Sequence, residues 1–139
     1  MFVTPDQIAL VKSTFVYAIP ISDAVATDFY DRLFAQCPHL RAMFAKDMAA
    51  QRQKLMLTLT AIVTDLDNLD RLVPMVTELA RRHVGYGVRD EHYAPVATAL
   101  IETLRQALGA RFTPAVEAAW GAAYGVLSNA MIQAVRMAA

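Results

Sequence analysis

Apolar residues recur at helical spacing along most of this chain, and no segment alternates apolar and polar residues as a half-buried strand would. The first helical segment opens with Thr4 as N-cap, Pro5 at the first helical position and Gln7 in the place that completes a capping box. Prolines and glycines separate this segment from later ones of the same kind. The pattern predicts an all-α domain of about seven helices.

Residues that favour helix ends divide the chain further. Pro20 is expected to end the first helix because it has no N–H group, and Ser22 or Asp23 to cap the second, which runs until Pro38. Asp47 precedes a long third helix. The later boundaries are predicted as a short helix that begins near Pro74 and ends at His83, Asp90 as the cap of the next helix, Gly109 as its end, and Thr113 with Pro114 as the start of the last helix.

Length and charge exclude several classes of protein. With 139 residues, the chain is long enough for one domain with a real core. Thirteen basic residues balance thirteen acidic ones, so no excess of charge favours nucleic acid or an anionic membrane. No apolar run approaches the ~18 residues of a membrane span, and the first residues do not resemble a secretory signal. We expect a single cytoplasmic domain over residues 1–139, without a nucleic-acid or membrane partner.

Side-chain chemistry of the common catalytic kinds is not evident. The three histidines, His39, His83 and His92, have no zinc-ligand spacing, and no serine–histidine–acid set or phosphate-binding glycine loop is present. The single Cys37 precedes Pro38 in a helix-ending turn, where a packing role is the ordinary interpretation. The hydrophobic share of 56% fits either a well-packed helical protein or a core that also lines an apolar cofactor.

His83 stands at the predicted end of a helix, four residues after Leu79 and shortly before Gly85 and Gly87. This spacing places both side chains on one helix face, with the Leu79 carbonyl in reach of the imidazole. A neutral imidazole that hydrogen-bonds through its second nitrogen is a common axial ligand of iron. The ordinary alternative is a surface histidine or a hydrogen-bonded core histidine.

Gln51 and Leu55 are also four residues apart, and Gln51 is polar on an otherwise apolar stripe. Tyr30, on the second predicted helix, offers a phenolic donor beside Phe29 and Phe34. Taken singly, a surface glutamine and an amphipathic core tyrosine are the ordinary interpretations of Gln51 and Tyr30.

Together, these residues resemble those of globins, and specifically of single-domain bacterial haemoglobins related to the haem domain of flavohaemoglobins. The similarity extends over essentially the whole chain and is best in "QRQKLM", "LARRHVGYGVRDEHYAPV" and "AAWGAAYGV". It implies a three-over-three helical sandwich around one haem b (iron protoporphyrin IX). By this resemblance, His83 matches the proximal iron ligand and Phe44 matches the phenylalanine that wedges against the haem. The other expected cofactor-binding residues are Leu55, Leu79 and Tyr93.

By the same matching, Tyr30 and Gln51 look like the distal pair that faces the bound ligand, with Leu55 closing the pocket. Tyr93 matches a proximal tyrosine, but Val135 stands where flavohaemoglobins have a glutamate. Without that carboxylate, the proximal histidine should donate less electron density to iron. This departure favours reversible ligand binding over peroxidase-like activation.

The resemblance implies a globin that binds O₂ with high affinity, and also NO and CO, as a monomer or homodimer. The same distal donors would serve a nitric oxide dioxygenase, and because the chain shows no flavin or nicotinamide domain, turnover is expected to need an external reductase. A haem-free globin-fold regulatory module is a further alternative, which the joint presence of His83, Phe44, Tyr30 and Gln51 opposes.

Overall fold

Six α-helices and four short 3₁₀ helices make up most of residues 3–85 and 87–138, the parts of the chain that the computed structural model describes. The α-helices are α1 (Pro5–Phe15), α2 (Ser22–Gln36), α3 (Ala49–Thr64), α4 (Leu69–Gly85), α5 (Tyr93–Leu108) and α6 (Pro114–Ala138). The 3₁₀ helices are Ile19–Ile21, Pro38–Met43, Asp90–His92 and Gly109–Arg111. The described residues contain no strand, which confirms the predicted all-α class.

Several predicted helix ends are confirmed. The Thr4 hydroxyl accepts the Gln7 N–H at 3.1 Å, and the Gln7 side chain accepts the Thr4 N–H at 3.0 Å, so the capping box starts α1. Gly109 ends α5 with a positive φ of 55°, which favours glycine. At the start of α6, the Thr113 hydroxyl accepts the Val116 N–H at 3.2 Å.

Two predicted caps are wrong. Neither Ser22 nor Asp23 caps α2, because the 3₁₀ helix before it runs directly into α2 and the cap position, Ile21, makes no side-chain hydrogen bond. Asp90 does not cap α5 either. It begins a separate 3₁₀ turn, and its carboxylate accepts a hydrogen bond from Arg136 at 3.0 Å.

Helices α1 and α4 differ in length from the prediction. Helix α1 ends at Phe15, before Pro20, because the following N–H groups form tighter i→i+3 bonds such as Ala18 N–H to the Phe15 carbonyl at 2.9 Å. Helix α4 begins at Leu69, so Pro74 lies inside it, and it continues past His83 to Gly85. These differences lengthen α4 in both directions and leave the His83 side chain in its last turns.

The six helices pack as two layers of three. Helices α1, α3 and α4 form one layer and α2, α5 and α6 the other. Between the layers, α1 and α4 contact α6, and α3 contacts α2; within the second layer, α5 contacts both α2 and α6. A buried hydrogen bond of 3.0 Å from Trp120 Nε1 to the Thr14 hydroxyl ties α6 to α1. No single helix in the described residues is long and apolar enough to cross a membrane. Only the bent pair formed by Pro5–Phe15 and Ile19–Gln36 meets the length and composition criteria together.

Candidate functional site

Tyr30, in the middle of α2, lies in a cluster with three phenylalanines. Its ring centroid is 5.0 Å from that of Phe29, 5.8 Å from Phe34 and 5.5 Å from Phe44. Only 6% of Tyr30 is exposed. Burial raises the pKa of the Tyr30 phenol, and a hydrogen bond from Gln51 opposes that rise. The phenol therefore keeps its proton at neutral pH and can act as a hydrogen-bond donor.

Gln51, in the first turn of α3, contacts Tyr30 directly. Its side-chain Nε2 donates to Tyr30 Oη at 3.0 Å. Because the phenol oxygen accepts this bond, its own hydrogen is directed to another acceptor. The structure thus brings Tyr30 and Gln51, the two residues predicted to be distal, into direct contact, with Gln51 donating to Tyr30. Leu55 lies one turn later on α3, half-buried against the core.

The Arg41 side chain supports this cluster, and the sequence analysis did not identify it. Its guanidinium donates to backbone carbonyls of the segment that carries Phe44. No residue spacing in the sequence signals such a contact, because its acceptors are main-chain oxygens.

His83, in the last turns of α4, is held by a backbone carbonyl. Its Nδ1 is 2.7 Å from the Leu79 carbonyl oxygen, which confirms the predicted hydrogen bond. Since a carbonyl only accepts, Nδ1 carries the hydrogen and Nε2 carries the lone pair that an iron ligand requires. Burial lowers the pKa of His83, and the bond to Leu79 opposes that fall. The imidazole is therefore neutral at neutral pH. Tyr86, in the segment that resembles globins, lies outside the described residues.

Tyr93 is hydrogen-bonded to α6, the helix that also carries Val135. Tyr93 is the first residue of α5, and its carbonyl accepts a hydrogen bond from Tyr124 Oη of α6 at 2.8 Å. Burial, and to a lesser extent the nearby Asp90 carboxylate, raises the pKa of the Tyr93 phenol. Val135 packs half-buried against the core, so an apolar side chain stands where the resemblance places a glutamate.

The other two histidines lie side by side in separate 3₁₀ turns. The rings of His39 and His92 are 6.1 Å apart. The Arg89 N–H donates to His92 Nδ1 at 2.9 Å, so the neutral ring carries its hydrogen on Nε2. His92 therefore does not offer an Nε2 lone pair to a metal ion shared with His39.

A cavity lies between α3 and α4, and neither Gln51 nor His83 is among the residues that line it. Within the described ranges, these two helices do not pack closely on each other, although they carry Gln51 and His83. The cavity has a volume of about 340 Å³ and is lined by Leu57, Thr58 and Ala61 of α3 and Met75, Glu78, Leu79 and Arg82 of α4. No group of three or more His, Cys, Asp or Glu side chains in residues 3–85 and 87–138 could hold a metal ion. The His83 imidazole, with its ring oriented by the Leu79 carbonyl, is a side chain that could bind the iron of a haem.

The sequence of this chain matches the model of a known protein family. The globin family model covers residues 27–131, a segment that contains Tyr30, Phe44, Gln51 and His83. The chain belongs to the globin family.

Two relatives of this globin are bacterial flavohemoproteins. It is 35% identical to a flavohemoprotein of Bordetella parapertussis over 132 residues, 93% of this chain and 33% of the relative. It is 34% identical to a flavohemoprotein of Bacillus anthracis over 128 residues, 90% of this chain and 31% of the relative. The chain therefore spans about a third of the length of these curated relatives.

A solved bacterial globin from Campylobacter jejuni has the same fold. It superposes on this chain with a TM-score of 0.85 and 24% identity, covering 96% of this chain and 97% of that one. This likeness and the family match confirm the predicted globin fold with two layers of three helices.

Proposed function

We propose that this globin binds haem b and holds O₂ reversibly with high affinity. The observation that carries the proposal is the buried Tyr30 phenol, whose oxygen accepts a hydrogen bond from Gln51 at 3.0 Å. When bound, haem would supply an iron atom that coordinates diatomic gases and moves electron density onto O₂. The remaining roles belong to side chains of this chain.

On the proximal side, His83 would donate its Nε2 lone pair to iron. The 2.7 Å bond from Nδ1 to the Leu79 carbonyl holds the ring in one tautomer and one orientation. Burial lowers the pKa of His83, which favours the neutral imidazole that a metal ion requires.

On the distal side, Tyr30 would donate its hydroxyl hydrogen to a ligand that carries partial negative charge. Gln51 holds the phenol oxygen from the other side, so the hydroxyl group is already oriented before a ligand arrives. Hydrogen bonds in chains of this kind strengthen each other. Neutral CO would gain much less from the same donor.

The apolar Val135 supports reversible binding. A carboxylate at this position would make the proximal imidazole a stronger electron donor. Val135 instead packs against the core, and the nearby Asp90 carboxylate is bound to Arg136 at 3.0 Å. The proximal arrangement therefore favours ligand storage or delivery over activation of an O–O bond.

Nitric oxide dioxygenase is the second candidate function, because the relatives are flavohemoproteins and the same distal donors would serve that reaction. Turnover would then need electrons from a reductase, and we propose that the reaction takes place in the cytoplasm. Physiological binding of NO or CO belongs to the same proposal.

One experiment separates these functions. The purified protein is loaded with haemin, reduced, and tested for O₂ dissociation and for NO consumption with a supplied flavoprotein reductase. Slow O₂ release with one NO consumed per haem supports O₂ binding. Sustained NO consumption would make the dioxygenase the leading function. Failure to form a Soret band with added haemin would overturn both and leave the haem-free regulatory module.

A further inference from the structure

Arg41 binds the backbone of the segment between the Pro38–Met43 3₁₀ helix and α3. Its Nη1 donates to the carbonyls of Phe44 at 3.3 Å and Ala45 at 2.9 Å, and its Nη2 donates to the Lys46 carbonyl at 2.9 Å. Within residues 3–85 and 87–138, no carboxylate pairs with this guanidinium. The hydrogen bonds of Arg41 therefore serve one short loop and no acidic side chain.

The same residue holds Phe44 from both sides. The Phe44 N–H donates to the Arg41 carbonyl at 3.2 Å, while the Arg41 side chain donates to the Phe44 carbonyl. Phe44 itself has an extended backbone, with φ −116° and ψ 155°, so it lies outside any helix that could bind its carbonyl. Arg41 thus binds both polar groups of the Phe44 backbone.

The Phe44 ring transmits this constraint to Tyr30. Its centroid is 5.5 Å from Tyr30 and 5.3 Å from Phe34, both edge to face. Phe34 in turn stacks on Tyr30 at 5.8 Å and lies 5.6 Å from the Arg41 guanidinium carbon. The contacts therefore form a closed circuit, from Arg41 to Phe44, from Phe44 to Tyr30, from Tyr30 to Phe34, and from Phe34 back to Arg41.

We propose that Arg41 is a positioning residue for the distal site. By holding the backbone of residues 44–46, it fixes the Phe44 ring against the Tyr30 ring and so fixes the position from which the Tyr30 hydroxyl donates its hydrogen. This inference rests on the proposed O₂-binding function. Lysine could not replace Arg41, because its single nitrogen cannot reach three successive carbonyls as a planar guanidinium does.

The test is a double-mutant cycle with Arg41→Lys and Tyr30→Phe, read as O₂ dissociation rates of the haem-loaded protein. Arg41→Lys alone should accelerate dissociation about fivefold, within the range of coupling between neighbouring residues. In the Tyr30→Phe background the same change should have almost no effect, because the donor that Arg41 orients is gone. Arg105→Lys is the control. Arg105 resembles Arg41 in that its guanidinium carbon lies 5.1 Å from the centroid of an aromatic ring, but it lies outside this cluster and donates to the Glu117 carboxylate, not to backbone carbonyls.

A second readout needs no haem. In the haem-free protein, nuclear Overhauser effects between the rings of Tyr30 and Phe44 should weaken in Arg41→Lys and stay unchanged in Arg105→Lys. If Arg41→Lys does not fold, Arg41→Gln, which keeps one NH₂ donor, takes its place in both measurements.

The outcomes separate the two proposals. An unchanged O₂ dissociation rate in Arg41→Lys, or the same acceleration with and without the Tyr30 hydroxyl, overturns the positioning role and leaves the O₂-binding proposal intact. An unchanged rate in Tyr30→Phe alone overturns the role of Tyr30 in O₂ binding instead. Ring contacts that persist in Arg41→Lys also overturn the positioning role.

Discussion

Replacing Tyr30 by phenylalanine removes one hydroxyl group and little else. The side chain is 6% exposed, and its ring packs 5.0 to 5.8 Å from three phenylalanines. Phenylalanine keeps these ring contacts because it has the same shape. The change therefore isolates the contribution of the donor that is held by Gln51.

The size of the effect follows from the free energy that one hydrogen bond contributes. A hydrogen bond to a charged acceptor contributes about 1.5–3 kcal/mol, which corresponds to roughly 13-fold to 160-fold in a rate constant. O₂ carries only partial charge, so we expect the lower part of this range and predict at least about tenfold faster O₂ dissociation from Tyr30→Phe. The folded protein should lose little stability, because water can replace the phenol as partner of the half-buried Gln51.

The assay is stopped-flow mixing of the oxygenated ferrous protein with excess CO. CO dissociation, measured by displacement with NO, is the internal control and should change by less than about threefold, because neutral CO accepts hydrogen bonds weakly. An O₂ dissociation rate equal to that of the wild type would refute the role assigned to Tyr30. Equal acceleration for both gases would show that the mutation opens the pocket and does not remove a specific donor.

Three further predictions concern the contacts around the site and the fold. Gln51→Leu should accelerate O₂ dissociation less than loss of the phenol does, since the amide donates to the phenol oxygen; an equal or larger acceleration would place Gln51 directly on the ligand. Tyr124→Phe should lower the free energy of unfolding by about 0.5–1.5 kcal/mol at pH 7, because the Tyr93 carbonyl loses its donor. Burial raises the pKa of the Tyr124 phenol in the folded protein. Above about pH 10 the phenol of the unfolded chain ionises while that of the folded protein stays protonated, so the wild type loses stability. Urea titrations should therefore show that the difference in unfolding free energy between the wild type and Tyr124→Phe narrows above this pH. Gly109→Ala should lower the free energy of unfolding by about 1–3 kcal/mol, because the φ of Gly109 is 55°. Gly121→Ala, inside α6, should raise it by about 0.5–1 kcal/mol. Equal shifts of the thermal unfolding midpoint in the two variants would contradict this account.

Much of the fold follows from local sequence signals. The α1 capping box depends on Thr4 and Gln7, which are three residues apart, so local spacing alone specifies it. Ser22 and Asp90 do not cap the helices as predicted, and each has its own reason. A 3₁₀ helix runs into Ser22, and Asp90 binds Arg136 from the end of the chain. Competition of that kind depends on tertiary contacts that sequence spacing does not reveal.

The candidate site likewise combines contacts that the sequence predicts with contacts that only the structure reveals. The bond from His83 to the Leu79 carbonyl could be predicted because both residues lie on one helix face, four positions apart. That Tyr30 and Gln51 belong together followed from the globin resemblance, but the direction of their hydrogen bond required the structure. The contacts of Arg41 with three carbonyls had no signal in the sequence, because backbone acceptors are present at every residue.

The most direct test of the account is the ferrous absorption spectrum of the haemin-loaded protein and of His83→Ala. We expect the wild type to show a five-coordinate ferrous haem in which His83 Nε2 is the axial ligand, with its ring held by the Leu79 carbonyl. His83→Ala should lose that spectrum and regain it on addition of free imidazole. A His83→Ala protein with the wild-type ferrous spectrum in the absence of imidazole would contradict the central claim.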